Sequence, residues 1–131
     1  MNEFSARFSL DNLVSQKKES PNKPLVYLAS PYSDSDEVVV QERFELVSKK
    51  AAELMMDGMI VFSPIAHCHP MATYGVLPTH WAFWEKYDRA ILSCCHKVIV
   101  LKLVGWEKST GVQAEIKIAL EMGLPVEYID L

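Results

Sequence analysis

Val98-Ile99-Val100-Leu101-Lys102-Leu103-Val104, followed by Gly105-Trp106-Glu107-Lys108-Ser109-Thr110-Gly111-Val112-Gln113-Ala114-Glu115, decides the fold. The first segment is an apolar run broken only by Lys102, which reads as a strand buried on both faces. From Gly111 onward the pattern turns helical and predicts a helix over residues 111–122, ended by Gly123 and Pro125. A strand handed on to a helix in this way is one unit of an open α/β sheet, whose ligands bind outside the carboxyl ends of the strands. Glu115 then falls in the first turns of a helix at that edge, close to Ser109 and Thr110.

The rest of the chain repeats the unit. Leu25-Val26-Tyr27-Leu28-Ala29 is a short strand stopped by Ser30-Pro31-Tyr32. Residues 38–57 form a helix with Phe44, Val47, Ala51, Leu54 and Met55 on one face, Ser35 or Asp36 as its cap and Gly58 at its close. Residues 59–62 are the second strand. Residues 65–78 read as a long irregular segment of the kind that serves as a lid or binding loop. Thr79 caps a helix reaching residue 94, with Trp81, Trp84, Ile91 and Leu92 as its apolar surface. The third strand covers 97–104 and the last 126–129. The alternation predicts an α/β fold, a flavodoxin-like or Rossmann-like three-layer sandwich with a mainly parallel sheet. Residues 1–24 are read as an extension and linker, since Pro21 and Pro24 interrupt a polar stretch. They form either a loose tail or an arm that packs Phe4, Phe8, Leu10 and Leu13 on a partner. Residues 25–131 form the domain.

Composition narrows the function. The 131 residues are 50% hydrophobic and 23% charged, with a net charge of -4. That is a globular composition without the basic field of a nucleic-acid-binding surface. No apolar stretch approaches the roughly 20 residues that span a bilayer, and no secretory leader is present, so a cytoplasmic protein is expected. Three cysteines, Cys68, Cys94 and Cys95, have no disulfide spacing and are expected to be reduced. His67-Cys68-His69 with Cys94, Cys95 or His96 invites a metal, but His-x-His alone is a weak ligand pattern, and no metal or cofactor is expected. Neither a glycine-rich dinucleotide fingerprint nor a P-loop is present.

At the strand ends three sets converge: Tyr27 with Ser30, Tyr32, Ser33 and Ser35; Asp88; and Ser109, Thr110 and Glu115. Two carboxylates and a tyrosine suit substitution at an anomeric carbon. Hydroxyls and amides at a helix start suit a phosphate. Each residue also has a plainer reading. Glu115 and Asp88 fit solvated helix-face charges, Tyr27 fits a core aromatic, and Ser33, Ser35, Asp36, Ser109 and Thr110 fit helix caps.

Three motifs, Val26-Tyr27-Leu28-Ala29-Ser30-Pro31-Tyr32, Tyr87-Asp88-Arg89-Ala90-Ile91-Leu92 and Ser109-Thr110-Gly111-Val112-Gln113-Ala114-Glu115, resemble the nucleoside 2-deoxyribosyltransferase superfamily. The likeness is closest to a small bacterial and phage branch of unknown function that shares the Ser63-Pro64 loop with His67 and His69. It runs over about residues 25–130. The resemblance implies a flavodoxin-like fold and an N-glycosidic bond as target. Glu115 matches the nucleophile, Asp88 the aspartate that assists at the sugar and leaving base, and Tyr27 the tyrosine that hydrogen-bonds the nucleophile. Ser109, six positions before Glu115, stands where the 5′-monophosphate hydrolases bind phosphate, with Ser33 and Ser35 in the loop that resembles their first loop. That loop lacks the hydrolases' arginine, so Arg43 or Lys108 is the expected cation. The expectation is hydrolysis of a (2′-deoxy)nucleoside 5′-monophosphate. Ser30, Tyr32, His67, His69, Trp84 and Gly111 are further substrate-binding candidates, and Trp81 would help cover the base. Base exchange between deoxyribosides and a non-catalytic nucleotide sensor are the alternatives. The expected partner is a small nucleotide or nucleoside, not a nucleic-acid polymer or a membrane, and the resemblance implies a homodimer or larger homo-oligomer.

Overall fold

The computed structural model describes residues 23–131. The tail and arm readings fall on residues outside that range. Among the described residues four strands and four helices follow in the order β1 (Leu25–Ala29), α1 (Glu37–Met56), β2 (Ile60–Phe62), α2 (Pro64–Gly75), α3 (Trp81–Cys94), β3 (Lys97–Leu101), α4 (Thr110–Glu121) and β4 (Val126–Ile129). A single 3-10 turn, Trp106–Lys108, lies between β3 and α4. All strand pairs are parallel and the order is β2-β1-β3-β4. The architecture is therefore the α/β sandwich with a parallel sheet that the sequence pattern implies.

Side chains alternate through the sheet with a period of two. Val26, Leu28, Ile99 and Leu101 point to the face covered by α1, where they meet Val47 and Ala51. Tyr27, Ala29, Val98 and Val100 point to the opposite face, where Leu92 of α3 and Val112, Ile118 and Ala119 of α4 close the core. With both faces covered, each central strand reads as an unbroken apolar run. Among the described residues no helix is long and apolar enough to cross a membrane.

The largest departure from the sequence expectation is α2. Residues 64–75 are a helix rather than an irregular segment. Ser63 caps it, its hydroxyl accepting from the Ala66 amide at 3.1 Å, and Pro64 occupies the first turn, where no amide hydrogen is required. Pro70 lies inside the helix and removes one hydrogen bond without ending it. Smaller differences have local causes. At the start of α1 Asp36, one of the two expected caps, takes the role, accepting from the Val38 amide at 2.9 Å. His80, not Thr79, sits at the cap of α3 and makes no side-chain cap bond. β3 ends at Leu101, because Leu103 folds back to donate to the Leu101 carbonyl.

Arg43 of α1 bolts two loops together at the carboxyl edge of the sheet. Its guanidinium donates to the carbonyls of Ser33 at 2.9 Å, Tyr32 at 3.4 Å and Val104 at 3.1 Å. Gly105 allows this approach. It has a φ of +93°, and a Cβ there would lie 2.8 Å from Arg43 Nη2. Gly105→Ala is therefore expected to cost about 2 kcal/mol, from backbone strain plus the loosened arginine. Gly123→Ala, at a φ of +74° with nothing within 4 Å, carries the strain alone and should cost about 1 kcal/mol. Thermal melts of the two variants measure the difference. Equal losses would show that the Arg43 bolt contributes nothing.

Candidate active site

The strand order reverses between β1 and β3, since β1 is followed outward by β2 on one side and β3 by β4 on the other. The loops leaving two such strands diverge to opposite faces and leave a crevice at their carboxyl ends. A cavity of about 410 Å³ occupies that crevice, lined by Ser30, Tyr32 and Ser33 after β1 and by Lys108, Ser109, Thr110, Gly111 and Glu115 after β3. Its size is within the roughly 300–1,000 Å³ usual for small-molecule sites.

Glu115 is 5% exposed and lines the cavity from α4. The Tyr27 hydroxyl, fully buried on the adjacent strand, donates to Glu115 Oε2. Asp88 reaches the same cavity from α3. Burial, followed by the charge of Asp88, pushes the Glu115 carboxyl well above the usual carboxylate range, against the pull of the Tyr27 hydrogen bond. Burial also pushes Asp88 up to about 6, opposed by its contacts with Tyr27 and Glu115. The Tyr27 phenol is raised too, by burial and then by the charges of Glu115 and Asp88, so it stays protonated and acts as a donor. Two carboxyl groups in one dry corner cannot both carry a full charge cheaply, and the pair holds a proton near neutral pH.

One end of the cavity suits an anion. The Ser109 hydroxyl caps α4, accepting from the Val112 amide at 3.2 Å, and its own proton remains available to donate. The amides of Thr110 and Gly111 open the helix and precede any helical acceptor. Lys108 adds a positive charge, and among the described residues it is the one lysine or arginine lining the cavity. Ser30, 4% exposed, has an Oγ with no partner among the described residues, although it lines the cavity. A buried hydroxyl left unpaired is costly, and a ligand atom would satisfy it. Arg43 does not serve as the expected cation, because it does not line the cavity and its guanidinium is turned to three loop carbonyls.

α2 and α3 form the opposite wall. Pro64, Ile65, Cys68, His69 and Ala72 come from α2, and Trp81, Trp84 and Asp88 from α3, with Thr79 between them. The Trp84 indole donates to the Pro78 carbonyl at 2.8 Å and so holds the connection before α3. Burial and then the Asp88 charge push the Cys68 thiol up to about 11, so it remains a neutral wall group.

Most of the residues singled out from sequence therefore meet in this cavity. Glu115, Asp88, Ser30, Tyr32, Ser33, His69, Trp84, Ser109 and Gly111 line it, and Tyr27 stands directly behind Glu115. Two do not join them. Ser35 is exposed in the turn before α1 and does not line the cavity. His67 is exposed, packed against Phe62 with ring centroids 5.4 Å apart, because positions two apart on a helix, such as His67 and His69, face different ways. His67 and His69 are thus separated, and among the described residues no group of three His, Cys, Asp or Glu side chains is placed to hold a metal. All three cysteines are free: Cys95 is core, Cys68 half-buried and Cys94 exposed, so only one of the adjacent pair packs inside. Sequence reasoning missed Pro64, Ile65, Cys68 and Ala72 as wall residues. Their signal was present in the spacing of Ile65, Cys68, His69 and Ala72, which is one helical face.

The family model for the domain of unknown function DUF1937 matches residues 24–130, nearly the whole chain, and the chain belongs to that family. No curated protein matches it.

Proposed function

We propose that this member of the DUF1937 family is an N-glycoside hydrolase that cleaves the base–sugar bond of a nucleoside 5′-monophosphate, preferably a 2′-deoxynucleotide. The observation that carries the reading is the buried Glu115 carboxyl, held by the Tyr27 hydroxyl and facing the same cavity as Asp88. Tyr27 occupies Oε2, so attack falls to Oε1. Glu115 Oε1 bonds to the anomeric carbon as the carbon–nitrogen bond breaks. The bonding pair leaves with the base, and Asp88 or water supplies the proton it takes up. Water then attacks the same carbon, returning a proton to the donor of the first step as the ester bond to Glu115 breaks, and sugar phosphate is released. The uncapped α4 amides, Ser109 and Lys108 support a phosphate at the other end.

The reading includes a cytoplasmic location and a homodimer or larger assembly. Exposed Tyr74 and Val76, 90% and 89% accessible, would supply such an assembly with apolar surface to bury. Chromatography of purified protein incubated with each deoxynucleoside 5′-monophosphate tests the reaction. Free base plus sugar phosphate, formed without a second base, is the expected result. Base exchange that requires an added base would replace hydrolysis with transfer. Tight binding with no product over long incubation would leave a nucleotide sensor.

A further inference from the structure

A polar relay runs from the surface of α1 into the cavity. Gln41 Nε2 donates to Glu45 Oε1 at 3.4 Å, Gln41 Oε1 lies 3.2 Å from His69 Nε2, and His69 Nδ1 lies 2.6 Å from the Tyr32 hydroxyl. The direction of this chain follows from its outer end. A carboxylate only accepts, so Gln41 turns its amide nitrogen to Glu45 and its oxygen to His69. An amide oxygen also only accepts, so the His69 proton resides on Nε2 and Nδ1 carries a lone pair. The 2.6 Å contact is then a hydrogen bond donated by Tyr32. Phe44 stacks on the imidazole with centroids 4.2 Å apart and planes at 27°, which holds the ring in this orientation.

We propose that Tyr32 is a specificity-determining residue: it meets the ligand as a fixed hydrogen-bond acceptor and selects bases that carry an exocyclic amine. This rests on the nucleotide reading above. Tyr32 has one proton and spends it on His69, so its oxygen presents only lone pairs to the cavity it lines. Pro64, Ile65 and Ala72 of α2, the helix whose His69 Tyr32 bonds, offer apolar surface to a flat ring, while the donors that suit phosphate cluster at the start of α4. A 4-amino pyrimidine or 6-amino purine projects its N–H beyond the ring toward such an acceptor. The corresponding oxo base places an oxygen there, lone pair against lone pair. A ring imide N–H is a poorer match, because in uracil it is flanked by two carbonyl oxygens.

The test uses two matched pairs, deoxycytidine against deoxyuridine 5′-monophosphate and deoxyadenosine against deoxyinosine 5′-monophosphate. Affinities are measured by calorimetry on full-length Glu115→Gln protein, in which turnover is blocked, and kcat/KM on the Glu115 protein. The amino member should be favoured by about tenfold, the worth of one well-placed hydrogen bond. Tyr32→Phe keeps the ring and should shrink the ratio to about threefold or less. Gln41→Leu, which touches no ligand, should lower the ratio as well by releasing the His69 proton to either nitrogen. Equal affinities, an oxo preference, a ratio unchanged in Tyr32→Phe or no binding at all would overturn the assignment. Selective binding without base release would refute the hydrolase reading and leave Tyr32 as the reader of the base. Base release without selectivity would do the reverse.

Discussion

Glu115→Gln should abolish base release while raising the melting temperature. The carboxylate lines the cavity with the Tyr27 hydroxyl to orient it, so in the proposed reaction its loss removes the nucleophile outright. The expected fall in kcat/KM is at least about 10³-fold. Stability should move the other way. Burial and the neighbouring Asp88 both disfavour a charge at Glu115, as its raised pKa records. The amide keeps the shape and an oxygen to accept from Tyr27, and the like-charge conflict is gone. A gain of about 1–2 kcal/mol is expected, equivalent to a rise of a few degrees. Thermal melts beside the activity assay check both halves. A variant that is equally active, or that loses activity together with stability, would show that Glu115 is a structural group.

Asp88→Asn should cost about 10²- to 10⁴-fold in kcat, and it should change the pH profile. The Asp88 pKa is raised to about 6, so as pH falls the carboxylate takes up its proton there rather than near 4. As the proton donor to the leaving base Asp88 must carry that proton, so activity drops as pH rises through 6, on the alkaline side, and in Asp88→Asn that limb should move or vanish. Stability runs in the same sense. A carboxyl whose folded-state pKa exceeds its unfolded value binds more protons when folded, so its contribution is fully present below about pH 4 and is lost as pH rises through 6. Asp88→Asn should accordingly be stabilised relative to the parent at pH 7–8, and much less so near pH 4. A pH profile with an unchanged alkaline limb in the variant would assign that limb to another group.

The fold was legible because burial on both faces writes itself into the strands. Val98-Ile99-Val100-Leu101 and Leu25-Val26-Tyr27-Leu28-Ala29 are continuous apolar runs, and residues 126–129 match β4 residue for residue. α2 was not legible because Ser63-Pro64 reads as the end of the second strand and residues 65–78 as an irregular segment, although proline in a first turn, as Pro64 is, starts a helix as readily as it ends a strand. The site was less legible. Tyr27 and Glu115 are 88 positions apart, and no local pattern joins them. Taken singly, Glu115 is a charge on a helix and Tyr27 an aromatic in a strand; the order of three motifs suggested their meeting. Arg43 looked like a free cation in sequence, because the carbonyls that occupy it belong to loops ten and sixty-one residues away. The unpaired Ser30 hydroxyl and the direction of the Tyr32 relay depend on who sits beside whom, which only the folded chain specifies.

The claim on which the proposed reaction depends is a covalent bond between Glu115 and the anomeric carbon. Acid-quenched intact-mass analysis of the protein during turnover of a slow 2′-fluoro nucleotide, followed by peptide mapping, tests it most directly. The account predicts a mass increase equal to the nucleotide less its free base, located on Glu115 and absent from Glu115→Gln. Base release with no adduct, an adduct on another residue, or neither adduct nor base release would contradict it.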